Sequence, residues 1–191
     1  MKKTFTRLKW ACYTTSMTMS VVGNLSPLLF LTFRNLYGIS FSLLGLLVLI
    51  NFCTQLGVDL IFSFFSHRFH IPKVVKLTPV VGAVGLVIYA LLPLVFPTFT
   101  FGSLVLGTVI FSAAAGLAEV LISPVIAAIP AKDPDREMSK LHSVYAWGVV
   151  GVVMVATVYL LLTPADLWFV LPLLFALIPL VSALLFSRVR I

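Results

Sequence analysis

A single acidic residue, Glu119, stands inside the otherwise uncharged run of residues 101–130. An ionisable group at such a position is costly in a lipid environment and commonly marks a solute or proton pathway. Its helical neighbours Ala115, Gly116 and Ser123 are small, which leaves room for water beside the carboxyl group. Burial without a neighbouring cation disfavours the ionised form, so the chemistry that Glu119 offers is reversible proton uptake.

Polar side chains recur every four residues in two other apolar runs. Residues spaced by four drift slowly around a helix and form one stripe. The longer stripe comprises Asn51, Gln55, Asp59 and Ser63, and the shorter one comprises Ser16, Ser20 and Asn24. A further apolar run opens with His142 and Tyr145. Each of these residues fits two roles, an interhelical hydrogen bond or the wall of a polar cavity.

All of these polar residues lie in or next to six long apolar runs. Of the 191 residues, 61% are hydrophobic and 10% are charged, and the mean hydropathy is +1.15. A run of roughly 18 or more apolar residues predicts a membrane-spanning helix, and runs of this length without alternation exclude a transmembrane barrel. We therefore predict an all-α membrane protein with one domain, residues 1–191. Its six spans, numbered in chain order, are residues 10–33, 41–65, 74–96, 101–129, 141–163 and 167–186.

Basic residues lie almost entirely on one side of this arrangement. Only Arg34 falls on the other side. The remaining 12 of the 13 Lys and Arg flank span 1, the link from span 2 into span 3, the link between spans 4 and 5, and span 6: Lys2, Lys3, Arg7, Lys9, Arg68, Lys73, Lys76, Lys132, Arg136, Lys140, Arg188 and Arg190. The positive-inside rule then places both termini in the cytoplasm of a multi-pass cell-membrane protein. The net charge of +7 is thus a topology signal, and no nucleic-acid partner is expected.

Several other kinds of site are not supported by the sequence. Cys12 and Cys53 fall within spans and are expected to be packed thiols, and no spacing typical of a metal site occurs. No cofactor is expected. Span 1 is too long for a typical signal-peptide core, so we expect it to remain as an uncleaved span. Before span 5, Asp133 and Pro134 predict a helix start, as the N-cap and the first helical residue.

The six-span layout with short outer loops resembles the N-terminal half of the major facilitator superfamily. The segment GVDLIFSFFSHRFHIPKVV resembles that family's helix 2 and the following loop, where an acid, an Arg, a Gly and further basic residues form a gating latch. Here His67, Arg68, His70 and Lys73 occupy the loop, and the two histidines replace the acid and the glycine. A latch of this composition is expected to be weak or sensitive to pH.

Two further segments, GLAEVLISPVIAAIP and LHSVYAWGVVGVV, look like helices 4 and 5 of the fucose-permease-like sugar branch of that family. In that branch an acidic residue in helix 4 is tied to proton coupling and substrate, and Glu119 matches its position. The resemblance implies two inverted three-helix repeats, which make up half of a twelve-helix transporter fold. The Ser-Pro pairs at residues 26–27 and 123–124 fit such a repeat.

The resemblance implies half of a secondary active transporter, proton-coupled and carrying a small solute such as a sugar across the lipid bilayer. The chain is then a fragment, a truncated product, or a subunit that pairs with a second transporter half or a second copy of itself. The expected substrate and proton pathway residues are Glu119, Asp59, Asn24, Gln55, His142 and Tyr145. A non-transporting membrane scaffold or assembly partner is the alternative. An enzyme is not expected, because no nucleophile or metal set accompanies Glu119 and His142.

The predicted topology can be tested by thiol labelling in a chain whose Cys12 and Cys53 are replaced by Ala. The thiol introduced by Lys132→Cys should resist a membrane-impermeant reagent in intact cells, whereas the thiol introduced by Arg34→Cys should react. Permeabilised cells are the control, because both thiols should react there. Reaction of the Lys132→Cys thiol in intact cells would rule out the six-span arrangement.

Overall fold

The computed structural model describes the backbone of residues 2–189 and the side chains of residues 5–189. Seven α-helices and three short 3-10 segments make up this part of the chain, and it contains no strand. The helices are α1 Lys2–Leu28, α2 Phe30–Tyr37, α3 Phe41–Phe65, α4 Ile71–Val95, α5 Thr100–Ala127, α6 Pro134–Leu162 and α7 Val170–Ser187. The side chains of Lys2, Lys3 and Arg190, which contributed to the topology prediction, lie outside the described residues.

Five helices, α3 to α7, are each long and apolar enough to cross a membrane when the short turns at their ends are included. α1 and α2 satisfy the same criterion together, across a bend of 43°. The bend follows Pro27, which removes a hydrogen bond from the last turn of α1. Counted as one broken span, α1 and α2 bring the number of apolar helices long enough to cross a membrane to six.

Local sequence signals account for several helix boundaries. The Ser40 side chain accepts a hydrogen bond from the Leu43 N–H and starts α3. Asp133 caps α6 by accepting a hydrogen bond from the Arg136 N–H at 3.0 Å, and Pro134 is the first helical residue. At the end of α2, Gly38 adopts the left-handed conformation, with φ 65°, that suits a residue without a side chain.

The helices differ in how much of their surface is covered. About half of the apolar stretch is buried in α4 (50%) and α5 (56%), against 17% in both α3 and α6. α4 packs between α5 and α7, and α1 packs against α5, α6 and α7. α3 and α6 are therefore edge helices, and much of their apolar surface is left to face lipid or another protein.

Two glycines allow α4 and α5 to touch through their backbones. Gly85 of α4 lies against Phe111, and Gly107 of α5 lies against Tyr89. A Cβ atom at Gly107 would stand 2.6 Å from the Cα of Tyr89, so no other residue fits without moving a helix. Small residues at such contacts are the usual means of close helix packing in membranes, where no hydrophobic driving force between helices exists.

An aromatic cluster joins the helices at the end of the bundle that is predicted to face outward. Trp168 is fully buried, and its ring meets that of Phe33 edge-on at 4.8 Å between centroids. Its indole N–H donates to the Tyr37 hydroxyl at 2.9 Å. Tyr89 packs on both Phe33 and Trp168. This cluster connects α2 and α4 with the segment that leads into α7.

The close contact at Gly107 predicts that Gly107→Ala and Gly151→Ala differ in their effect on stability. Gly107→Ala should destabilise the protein by about 1–3 kcal/mol, the usual cost of overpacking, because the new methyl group meets the backbone of Tyr89. Gly151→Ala is the matched control, since a Cβ there meets open space. Thermal unfolding in detergent should show a lower Tm for the first variant only. Equal Tm values for both variants would contradict the described contact between α4 and α5.

Candidate functional site

A cavity of about 260 Å³ opens on the face of the bundle where α1, α3, α5 and α6 meet. In the part of the chain that the structure describes, neither α4 nor α7 contributes a residue to its wall. The polar side chains on the wall come from all four of the helices that meet there: Ser16, Gln55, Glu119, Ser123, His142 and Tyr145. Spans 1, 2, 4 and 5, which carry the candidate polar residues, correspond to α1, α3, α5 and α6 and converge on one cavity. Spans 3 and 6, which correspond to α4 and α7, pack behind them.

The cavity brings together four of the six predicted pathway residues: Gln55, Glu119, His142 and Tyr145. Asn24 and Asp59 do not line it. The Asn24 side-chain amide donates to the backbone carbonyl of Ser20 at 2.8 Å, so it is held against its own helix. Whether any of these residues contacts a substrate remains a prediction.

Glu119 lies on the open side of the cavity, and its side chain is exposed. It is eight residues from the end of α5, about 12 Å along the helix axis. Both ion pairs among the described side chains belong to Glu137, so neither involves Glu119. The carboxyl group is therefore accessible from the cavity and is not enclosed within the bundle, because the cavity opens at the surface of this chain.

Asp59 approaches the same helix one turn away, beside Gly116. A Cβ atom at Gly116 would lie 3.0 Å from Asp59 Oδ1 and 2.9 Å from the backbone carbonyl oxygen of Gln55. This glycine therefore allows α3 to lie directly on α5. Asp59 Oδ1 is buried without a hydrogen-bond partner among the described residues, and Asp59 is within electrostatic range of Glu119. Asp59 thus contacts α5 three residues before Glu119.

Asn51 forms the buried end of the α3 stripe. Its side-chain oxygen accepts hydrogen bonds from Gln55 Nε2, at 2.9 Å, and from the Ser112 hydroxyl of α5. Asn51 therefore joins α3 to α5, whereas Gln55 both supports that bond and reaches the cavity wall. Within this stripe, Asn51 therefore forms an interhelical hydrogen bond, whereas Gln55 forms part of the cavity wall.

Hydroxyl groups form other hydrogen bonds between helices, some of them between residues outside the predicted polar stripes. The Thr15 and Ser182 hydroxyls lie 2.6 Å apart and join α1 to α7. The Ser26 and Tyr89 hydroxyls, 3.2 Å apart, join α1 to α4. The third joins Ser20 to the backbone carbonyl of Tyr145 at 2.9 Å. Ser20 is fully buried by this contact, so its place in the predicted stripe does not bring it to the cavity.

The loop between α3 and α4 contains the four residues predicted to form a gating latch. His67 and Arg68 lie in the 3-10 segment Ser66–Arg68, and His70 precedes α4. His67, Arg68, His70 and Lys73 are all exposed. The Arg68 guanidinium lies over the Phe65 ring at 5.5 Å, and no acidic side chain forms an ion pair with the loop in the described range. The latch and its pH sensitivity remain a prediction.

A charged cluster holds the N-terminal parts of α1 and α6 together beside the cavity. Glu137 accepts from Lys9 Nζ and from Lys140 Nζ, both at 2.8 Å, and from the Tyr13 hydroxyl at 3.3 Å. The Glu137 side chain is only 15% exposed. The cluster therefore connects two cavity walls at the end that is predicted to be cytoplasmic.

Comparison with solved structures identifies the fold. The chain superposes on the proton:xylose symporter XylE of the major facilitator superfamily, solved with 6-bromo-6-deoxy-D-glucose, with a TM-score of 0.85 and 16% sequence identity. The match covers 99% of this chain and 45% of the symporter chain. No family model matches the chain, and no curated protein matches it in sequence.

The chain therefore has the fold of one half of a major facilitator superfamily transporter, as the sequence resemblance predicted. It spans less than half of the length of the solved symporter that it matches. At 16% identity the similarity establishes the architecture of a multi-pass, all-helical membrane protein. The similarity does not identify the solute, the coupling ion or the partner, which must be inferred from the residues of this chain.

The charged cluster predicts a specific loss of stability. Glu137→Gln removes the charge that two lysines share, and we expect it to cost about 1 kcal/mol, which lowers the Tm of a chain of this size by about 2–4 °C. Asp135→Asn is the control, because exposed Asp135 takes part in neither described ion pair. A Glu137→Gln variant as stable as wild type at low ionic strength would show that the cluster does not hold α1 against α6.

Proposed function

We propose that this chain is one half of a proton-coupled secondary transporter for a small polar solute such as a sugar. The observation that carries the proposal is the convergence of α1, α3, α5 and α6 on one cavity whose wall includes Glu119. A carboxyl group at this depth of a membrane protein is costly and characteristic of substrate and proton pathways. The matched symporter couples xylose to protons, which supports the same class of activity for this fold.

The composition of the wall suits a hydroxyl-rich solute. Gln55 and His142 offer donors and acceptors, and Ser16, Ser123 and Tyr145 offer hydroxyl groups. Such groups can replace the water that hydrates a sugar. Phe52, Ile122 and Leu141 supply apolar surface to the same wall. A mixture of apolar surface and a few convergent polar groups is typical of small-molecule sites.

Transport by this arrangement needs a second bundle against the open face. Alternating access requires one bundle to rock against another around the site. Glu119 and His142 are exposed on the described chain, and exposure of such groups to hydrocarbon would be unfavourable. We therefore propose that a second transporter half, or a second copy of this chain, covers the cavity. A scaffold role would give no reason for polar residues to gather on an open face.

In this proposal Glu119 carries the coupled proton and Asp59 is its neighbour. Glu119→Gln keeps the shape and the hydrogen-bonding capacity of the side chain but cannot exchange a proton. The variant should abolish solute-driven proton uptake and retain exchange of labelled solute across the membrane. Asp59→Asn should reduce coupling less severely, because Asp59 lies outside the cavity wall.

The experiment uses sealed membrane vesicles from the source cells, so that the second bundle paired with the chain is present. The internal pH is followed while a panel of sugars is added, with wild type and Glu119→Gln at matched expression. Lys132→Gln, in an exposed loop away from the cavity, is the control and should behave as wild type. Normal sugar-driven proton uptake by Glu119→Gln would exclude the coupling role, and no uptake by wild type with any sugar would overturn the substrate class.

A further inference from the structure

A second concavity, of about 420 Å³, lies between α1 and α6. Its volume is within the range of about 300–1,000 Å³ that is usual for ligand sites. One wall is the α1 stripe from Trp10 to Met17, and the other is the α6 stripe from Lys140 to Trp147. These residues lie on a different face of α1 from Ser16 and the other cavity residues. We call this feature the α1–α6 groove.

The groove combines an apolar floor with aromatic edges. Met17 of α1 and Val144 of α6 supply apolar lining, which we call the floor of the groove. Trp10 and Trp147 stand at its edges, 59% and 75% exposed, without a protein surface to cover them. Trp side chains are enriched where a protein crosses the boundary between hydrocarbon and headgroups. Trp10 and Lys140 also lie where the apolar runs of spans 1 and 5 begin, so one end of the groove reaches that boundary.

The end of the groove at that boundary carries a net positive charge. Lys140 lines it and is 47% exposed, so its ammonium group keeps a free side although it is bonded to Glu137. An ammonium group has three donors. Lys9 and Lys140 share the single charge of Glu137, which leaves one positive charge on the three residues. Basic pockets between transmembrane helices on the cytoplasmic side bind anionic lipid headgroups.

The three hydroxyl groups of the groove have their donors engaged within the protein. The Tyr13 hydroxyl donates to Glu137 at 3.3 Å. The Thr14 hydroxyl donates to the backbone carbonyl of Trp10 at 2.9 Å, and the Ser143 hydroxyl to that of Ser139 at 2.8 Å. A ligand therefore meets apolar surface along the groove and a single cationic donor at its end. This combination favours a ligand that has an apolar chain and a group with one negative charge. It does not distinguish one anionic headgroup from another.

We propose that the α1–α6 groove binds one anionic phospholipid, with an acyl chain along the floor and the phosphate at Lys140. A zwitterionic lipid can make the same acyl contacts, but its own cationic group competes with Lys140 for the phosphate. The site should therefore prefer phosphatidylglycerol to phosphatidylethanolamine. One lysine near a membrane surface contributes roughly a fivefold preference for anionic lipid. The inference is independent of the transport activity proposed above.

The chain carries its own fluorescent reporters for this test. Of its three tryptophans, Trp10 and Trp147 border the groove, whereas Trp168 is fully buried in the aromatic cluster. The purified full-length chain is placed in vesicles that contain either brominated phosphatidylglycerol or brominated phosphatidylethanolamine at equal mole fraction. Bromine quenches tryptophan on contact, so titration of the brominated lipid gives the relative affinity. We expect about fivefold tighter binding of the phosphatidylglycerol.

Four variants separate a built site from general attraction of anionic lipid. Lys140→Gln should lose the preference, and Lys140→Arg should retain it, which controls for folding. Lys132→Gln should also retain it, because Lys132 is exposed in a loop and does not line the groove. Val144→Phe should reduce the preference by filling the floor while Lys140 remains.

Two results would overturn the proposal. Equal quenching of the wild type by both lipids would show only the annular lipid that surrounds any membrane protein. A preference that survives Lys140→Gln but falls in Lys132→Gln would assign it to the surface charge of the loops. Either outcome would leave the transport proposal standing, since transport is measured through Glu119 and the cavity.

Discussion

The position of α5 relative to its neighbours decides where the polar groups of this protein can meet. Gly107 brings its backbone against Tyr89 of α4, and Gly116 brings it against Gln55 of α3. With both contacts made, the next turn of α5 places Glu119 on the cavity wall, three residues after the glycine that Asp59 contacts. A larger residue at Gly116 would push α3 and Asp59 away from α5, whereas one at Gly107 would push α4 away from α5.

The lack of water in a membrane explains why most polar side chains are already paired. The hydroxyls of Thr15, Ser26 and Ser112 each meet a polar group on another helix, because a lone polar group in hydrocarbon is unfavourable. Among the described side chains, the buried oxygens that lack a partner are Asp59 Oδ1 and Thr108 Oγ1. Of these two residues, Asp59 contacts α5 at Gly116, three residues from Glu119 of the cavity wall.

α1 and α6 pack against each other, and a different feature lies on each side of their contact. On one side they contribute Ser16, His142 and Tyr145 to the polar cavity. On the other they form an apolar groove that ends at Lys140. The cluster around Glu137 holds the two helices together at the start of both features. A lipid in the groove would therefore contact two of the helices that form the cavity wall.

The apolar runs predict the number and order of the long helices, because the length of an apolar run is a local property. The start of α6 is predicted as well, since Asp133 caps the N–H of a residue three positions away. Which polar residues are joined and which are open depends on how the helices pack. Asn51 and Ser20 turned out to hold helices together, whereas Gln55 and Glu119 reached the cavity. Helical spacing places residues on one face, but the neighbour of that face depends on helix rotation and on contacts between distant residues. The pairing of Trp168 with Tyr37 has the same origin, with 131 residues between the partners.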